Sequence, residues 1–417
     1  MRKRILSAIL CSSMIFSALL TGCGANEQIT YSDKTVNLMN GITAQEHDTD
    51  IADESAYEKY NDFAINLLKN NLSDNINVTV SPASAIFALA MTANGADGKT
   101  NEEMLALFNE NSNSELNLRL YQYIKSIKND NSCVKIANSI WINKNTGFEP
   151  SKDFLQTNAD YYNSSVFSAP FDDSTAQDIN KWVSFNTDGR IPELVKKIKS
   201  DTIMSLINTV LFDAEWKESF DVNKSYDSDF SNADGTKSEI KMMNSDNERY
   251  ISDDNTKGFV KEYSNGYEFV ALLPEEGISV EDYLNDLTAE KLSSMLEKNT
   301  ADTAHITIPA FENSSELNLN KSLQTMGMKA AFDSEAADFS KIGNSLNGNI
   351  FIDSVMQNTE ITVDELGTKA SAATKVDMME GAALIENSVI CDRPFIYFIF
   401  ESESKMPLFA GAFLYAS

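Results

Sequence analysis

Glu365-Leu366-Gly367-Thr368-Lys369-Ala370-Ser371-Ala372-Ala373-Thr374-Lys375-Val376-Asp377-Met378-Met379-Glu380-Gly381-Ala382-Ala383 is the stretch on which the reading of the whole chain turns. Every second residue from Thr368 is small or apolar: Thr368, Ala370, Ala372, Thr374, Val376 and Met378. The intervening series, Lys369, Ser371, Ala373, Lys375, Asp377 and Met379, carries every charge of that span. This is the period of a strand with one buried face. The composition pulls the other way, because Ala and Ser are poor strand formers and suit loops and helices. No proline occurs from Glu360 through Asp392, so each backbone N–H in between can join a ladder. Small inward side chains suit a strand entering a sheet already packed against helices, where bulk would overpack the core. The segment reads as one that lives either exposed or inserted. On composition alone, an Ala-rich helix or a flexible linker stays open. Just upstream, Glu360-Ile361-Thr362-Val363-Asp364 is a β-branched alternating run and predicts a strand.

Away from this stretch, the parts of an enzyme are missing. Of the two histidines, His47 lies in a polar acidic segment and His305 abuts the strand-like Ile306-Thr307-Ile308. No G-x-S-x-G elbow accompanies His305, and there is no H-E-x-x-H and no cysteine pair at zinc spacing. Gly95-Ala96-Asp97-Gly98-Lys99-Thr100 imitates a phosphate loop, but Ala93 stands where the first glycine is needed. Asp253-Asp254-Asn255-Thr256-Lys257-Gly258 imitates a calcium loop, but Lys257 takes a ligand position and Ser264 stands in for the bidentate glutamate. Both read as turns. No cofactor or metal is expected. The net charge of −28 argues against a nucleic-acid partner and for solubility outside the cell.

At the N-terminus, Arg2, Lys3 and Arg4 precede the uncharged apolar run from Ile5 to Leu20, the pattern of a secretory signal. It ends at Leu20-Thr21-Gly22-Cys23, which resembles a bacterial lipobox. The expectation is a signal peptide over 1–22, cleaved before Cys23, whose sulfur takes a diacylglycerol. The protein is then held at the extracellular surface of a bacterial cell without spanning the membrane. Residues 23–55 carry Asp33, Glu46, Asp48, Asp50, Asp53 and Glu54 and show no periodicity, so they read as an acidic flexible tether. Residues 56–417 show no repeat and no Pro/Gly/Ser-rich linker, which favours one large domain. Cys11 leaves with the signal, and Cys133 and Cys391 read as small buried core residues.

Glu365-x-Gly367-Thr368-x-Ala370-Ser371-Ala372-Ala373-Thr374 resembles the reactive-centre-loop hinge of inhibitory serpins. Further blocks resemble that family in order along the chain. They are Asn77 to Ser84, Val134 to Trp141, Asn180 to Val183 with Thr187 to Ile191, and Asn208 to Lys217 with Phe220. Ala331-Phe332-Asp333 with Ala337 to Ser340, then Asp392 to Phe395 with Pro407 to Gly411, complete the set. The match runs from about Ala56 to Ser417. One departure is Gln357-Asn358, where the family usually has His-Lys. Gln357 still donates and accepts hydrogen bonds but cannot titrate.

The resemblance implies an α+β serpin fold of three β-sheets and about nine helices with an exposed reactive-centre loop, as a monomer. It implies no enzyme, but an irreversible suicide-substrate inhibitor of serine, and by extension cysteine, endopeptidases. The hinge is carried by Glu365, Gly367, Thr368, Ala370, Ser371, Ala372, Ala373 and Thr374. The sheet-opening region is matched by Ser81, Ser84, Asn208, Trp216 and Gln357. The family count from the hinge puts the cut bond near Gly381-Ala382, within the window Met379, Glu380, Gly381, Ala382 and Ala383. No Arg or Lys lies in that window, so the target protease expected is elastase-like or subtilisin-like rather than trypsin-like, with Glu380 leaving a glutamate-specific enzyme open. The alternative is a non-inhibitory serpin acting as a binding protein. Such relatives tend to carry charged, bulky or proline residues at inward hinge positions, which this chain does not.

Overall fold

The computed structural model describes residues 29–48, 54–73, 75–129, 134–200, 202–297, 302–344, 349–368 and 387–416. The expected signal peptide, Cys23, Cys133, hinge residues Ala370 to Thr374 and the window Met379 to Ala383 lie outside the described residues.

The strand Met204–Phe212 is buried along its whole length, as its near-continuous apolar sequence requires of a strand covered on both faces. It is the centre of a six-stranded sheet with the order Val36–Asn37, Ser165–Ala169, Val134–Asn143, Met204–Phe212, Val355–Val363, Phe311–Asn318. Val355–Val363 alternates strictly between buried and half-exposed residues, which is the period-2 signature expected at Glu360 to Asp364. The other two expected sheets are joined through the long strand Lys237–Ser252. It pairs with Tyr226–Ser231, then Thr303–Pro309, then Thr256–Glu262, so hydrogen bonding runs on into one nine-stranded system. A two-stranded pair, Gly367–Thr368 with Ala214–Glu215, stands beside the central sheet. Nine α-helices are present among the described residues.

Helix Pro82–Ala93 is buried on every side. Ser81 caps it, its Oγ accepting from the Ser84 N–H at 3.3 Å, and Pro82 sits in the first turn where a missing N–H costs nothing. It packs against both the six-stranded sheet and the last strand of the chain, Pro407–Phe413. Cys391 is a free, fully buried thiol, pushed well above its ordinary range by that burial.

The tether expected over 23–55 is not what residues 31–48 form. Val36–Asn37 pairs antiparallel with Ser165–Ala169 and closes that edge of the central sheet. Asp178, itself buried, accepts from the Ser32 N–H (2.9 Å), the Ser32 hydroxyl (2.7 Å) and the Thr35 hydroxyl (2.8 Å). The Tyr31 ring lies 5.0 Å from that of Phe167, and His47 stacks on Tyr161 at 4.2 Å. Glu46 accepts from Tyr121 and Lys125, both at 2.6 Å. A two-residue edge strand has no period to detect, and Glu46 is engaged by partners 75 and 79 residues further along the chain. Acidic composition therefore misreads the segment as solvated.

The two imitation loops are structural. Asp97 caps the helix Gly98–Ala106, so Gly98 to Thr100 open a helix rather than a turn. Asp253 accepts from the Asn255 N–H at 2.8 Å in the bend before the strand Thr256–Glu262.

Candidate functional site

The strand Val355–Val363, here called the hinge strand, ends in a tight bend. The Asp364 carboxylate accepts from the N–H of Leu366 (2.8 Å) and of Gly367 (3.1 Å), and the Asp364 N–H returns a bond to the Gly367 carbonyl (2.9 Å). The chain thereby reverses, and Gly367–Thr368 pairs antiparallel with Ala214–Glu215, Gly367 opposite Glu215 and Thr368 opposite Ala214. Only glycine fits at 367: a Cβ there would lie 2.1 Å from the Ala214 carbonyl oxygen.

The bend rests on an aromatic platform. The Trp216 indole N–H donates to the Asp364 carbonyl (2.8 Å), its backbone N–H to the Leu366 carbonyl (2.9 Å), and the Phe220 N–H to the Glu365 carbonyl (2.9 Å). Trp216 stacks on Tyr263 with ring centroids 4.2 Å apart, and the Tyr263 hydroxyl meets the Thr368 hydroxyl at 2.6 Å. Thr368 is only 1% exposed, so the first inward hinge residue is already seated. Glu365 is clamped by the Lys241 ammonium at 2.6 Å and the Ser225 hydroxyl at 3.0 Å. Burial pushes the Glu365 carboxyl up, but hydrogen bonds from Lys241, the backbone and Ser225, together with the Lys241 charge, outweigh it and hold it below the ordinary glutamate range.

Between the hinge strand and Met204–Phe212, pairing is confined to one end. Val355, Met356 and Gln357 run parallel with Leu206, Ile207 and Asn208, and no ladder continues from there toward the hinge. Beyond it the two strands flank a cleft lined by Thr187, Arg190, Ile191, Val210, Leu211, Phe212, Glu360 and Thr362. The other flank of Met204–Phe212 is paired along its full length with Val134–Asn143. The strand is therefore half-laddered on the side that faces the hinge. Asn208 Oδ1 and Thr209 Oγ1, both buried, have no hydrogen-bond partner among the described residues.

Where the ladder closes, Gln357 takes over. Its Oε1 accepts from the Ser81 N–H at 2.9 Å and its Nε2 donates to the Ser81 carbonyl at 2.8 Å, imitating a strand neighbour with a side chain. The Ser81 hydroxyl donates to the Leu408 carbonyl (2.8 Å), and the Asn208 amide donates to Asn138. Thr359 donates to the Thr79 carbonyl (2.8 Å), and the Thr79 hydroxyl meets that of Tyr397 at 2.6 Å.

Two clusters thus stand where the sequence reading put one list. Ser81, Ser84, Asn208 and Gln357 come together at the closed end of the cleft. Trp216 does not join them; it lies past the far end of Met204–Phe212 and belongs with Glu365, Gly367 and Thr368. Lys241, Ser225, Tyr263 and Asp364 were not among the residues expected. Asp364 had a signal, an aspartate three residues before a glycine at the end of a strand. The other three lie more than a hundred residues from the hinge and carry none.

Residues 58–416 match the family model described as Serpin (serine protease inhibitor). Among curated proteins, the chain is 29% identical over 384 residues to Alpha-1-antitrypsin 1-5 of Mus musculus, covering 88% of this chain and 92% of that protein. It is 29% identical over 370 residues to Leukocyte elastase inhibitor A of Mus musculus, covering 84% and 96%. Among solved structures, the native state of the thermophilic serpin tengpin superposes with a TM-score of 0.86 at 40% identity, covering 92% of this chain and all of that one. These relatives are protease inhibitors rather than enzymes, and the hinge, cleft and sheet arrangement described above sits inside the matched span. The chain belongs to the serpin family.

Proposed function

We propose that this protein is an inhibitory serpin that traps a protease by inserting its cleaved loop as a new strand of the central sheet. The observation that carries the reading is the half-made ladder of Met204–Phe212, open on the side where Gly367–Thr368 has begun to pair. Continued without a bulge, that register brings Ala370 opposite Phe212, Ala372 opposite Val210, Thr374 opposite Asn208 and Met378 opposite Met204. The small inward series of the hinge falls on the buried strand, and Thr374 brings a hydroxyl to the unsatisfied Asn208. Strand addition of this kind converts backbone groups at a sheet edge into ladder hydrogen bonds, each a net gain of about 1 kcal/mol. The described state is then kinetically held, and its lifetime is a rate.

The strand available for pairing ends at Met204, opposite Met378, and the proposed cut lies just beyond, between Met379 and Ala383. Elastase-like or subtilisin-like proteases are the targets proposed, in keeping with the name of Leukocyte elastase inhibitor A among the relatives. Incubation with a panel of serine proteases followed by denaturing gels and mass spectrometry tests this. The expected result is an SDS-resistant complex with an elastase-like or subtilisin-like enzyme and a new terminus between Met379 and Ala383. Trapping of trypsin, with cleavage after Lys369 or Lys375, would show the register to be wrong.

We also propose that the chain is exported and lipidated on Cys23, which anchors it at a bacterial cell surface. Cys23→Ala should move the protein from the membrane fraction to the soluble one; retention of the variant in membranes defeats the proposal.

A further inference from the structure

Lys261 puts a charge into a run of buried strand. It falls in Thr256–Glu262, directly after the buried Phe259 and Val260, and is itself 1% exposed. Lysine is almost never fully buried without a partner, because stripping water from an ammonium is costly. The partners are present. The Lys261 ammonium donates to the Glu248 carboxylate at 2.5 Å and to the Ser245 hydroxyl at 3.4 Å, and that hydroxyl donates to the same carboxylate at 2.6 Å. The ammonium also lies over two rings, 4.5 Å from the centre of Phe220 and 5.6 Å from that of Trp216.

Those two rings belong to the platform under the hinge. Trp216 donates its backbone N–H to the Leu366 carbonyl, and Phe220 donates its own to the Glu365 carbonyl, both at 2.9 Å. Lys261 and Tyr263 are two residues apart along extended chain and share a face, so both address Trp216. Tyr263 stacks on it with centroids 4.2 Å apart, while Phe220 meets it edge-on at 5.8 Å. One ammonium therefore touches both residues that hold the hinge bend, and Glu248 ties it to the long strand Lys237–Ser252.

We propose that Lys261 is a positioning residue for the hinge: its ammonium, anchored by Glu248, fixes the Phe220 and Trp216 rings and so keeps their backbone N–H groups on Glu365 and Leu366. A cation attracts both rings at once, in a site with little water to screen it. A methionine of similar length fills the same space but lets the rings shift. The bend then opens more often while the rest of the sheet stays closed. The inference rests on the insertion reading for the use the protein makes of the hinge, and the experiment reads the hold itself.

The readout is hydrogen exchange of the Trp216 and Phe220 amides in the intact protein, followed beside the ladder amides between Met204–Phe212 and Val134–Asn143. Lys261→Met should speed exchange at both hinge donors about tenfold. That variant also strands the Glu248 carboxylate and lowers global stability, so the decisive sample is Lys261→Met with Glu248→Gln, which removes both charges. The double variant should recover the parental unfolding midpoint and the parental ladder exchange, yet keep the fast hinge amides. A merely structural ion pair would recover all three together. Lys261→Arg keeps a cation for the rings and a partner for Glu248, and should stay within about threefold of the parent at both hinge amides. Hinge amides as slow in the double variant as in the parent, or as fast in Lys261→Arg as in the double variant, overturn the proposal. Absence of any SDS-resistant complex from the parent defeats the insertion reading, whereas the exchange rates decide the role of Lys261 alone.

Discussion

Thr368→Arg is expected to abolish the covalent protease complex and leave a protein that is merely cut. Thr368 is 1% exposed, opposite Ala214, with its hydroxyl on that of Tyr263. A guanidinium there meets Ala214 and the Tyr263 hydroxyl, while the Glu365 carboxylate of the same cluster is already held by Lys241 and Ser225, and an unpaired buried charge costs several kcal/mol. The arginine must leave the pocket, carrying Gly367–Thr368 off Ala214–Glu215 and undoing the first two pairs of the new strand. The proposed cut lies more than ten residues further on, so the loop remains a substrate. With insertion slowed by a hundredfold or more, hydrolysis of the acyl-enzyme wins the race. Gels should show cleaved product accumulating with no SDS-resistant band, while Thr368→Ser behaves as the parent. A Thr368→Arg variant that forms complex at the parental rate would rule out hinge insertion as the mechanism.

The second large effect is expected at the closed end of the cleft. Gln357→Ala removes both hydrogen bonds to the Ser81 backbone and leaves the buried Ser81 N–H without that partner, while the Ser81 carbonyl keeps only the Ala85 N–H at 3.1 Å. The orphaned N–H costs about 1–3 kcal/mol, and the lost side chain adds a cavity. The native sheet should lose about 3 kcal/mol, and the half-life of inhibitory activity on warming should fall by one to two orders of magnitude. Because an amide does not titrate, the ratio of parent to variant half-lives should be the same at about pH 6 and pH 8. A half-life within twofold of the parent would mean that the Ser81–Gln357 pair does not hold the sheet shut.

Much of this was legible in the residues before any coordinates. The hinge announced itself because its period and its composition disagree, which happens when one segment must satisfy two environments. The strand expected at Glu360 to Asp364 was equally plain, since burial on one face writes itself directly into residue order, and it is the end of the alternating Val355–Val363. What stayed hidden is what depends on distant partners. Lys241, Ser225 and Tyr263 are ordinary residues until the fold sets them around Glu365 and Thr368. Trp216 was grouped with the wrong cluster because adjacency in a family block does not say at which end of a strand a residue falls. The segment 31–48 was misread for the same reason: Asp178 and Phe167, which hold it, are remote in sequence.

The helix Pro82–Ala93 lies against the sheet that parts in the proposed insertion. Half of it is alanine or serine: Ala83, Ser84, Ala85, Ala88, Ala90 and Ala93. Such side chains present low ridges and have almost no rotamers to lose or regain. A strand passing over them does not have to lift clear of one groove to drop into the next, as it would over leucines. In mechanical terms the helix is a bearing. On the insertion reading the sheet widens by translation at nearly constant contact, and the resistance to opening is concentrated in the few polar latches at either end of the cleft. Speed and restraint are thereby assigned to different parts of the molecule, and each can be tuned without disturbing the other.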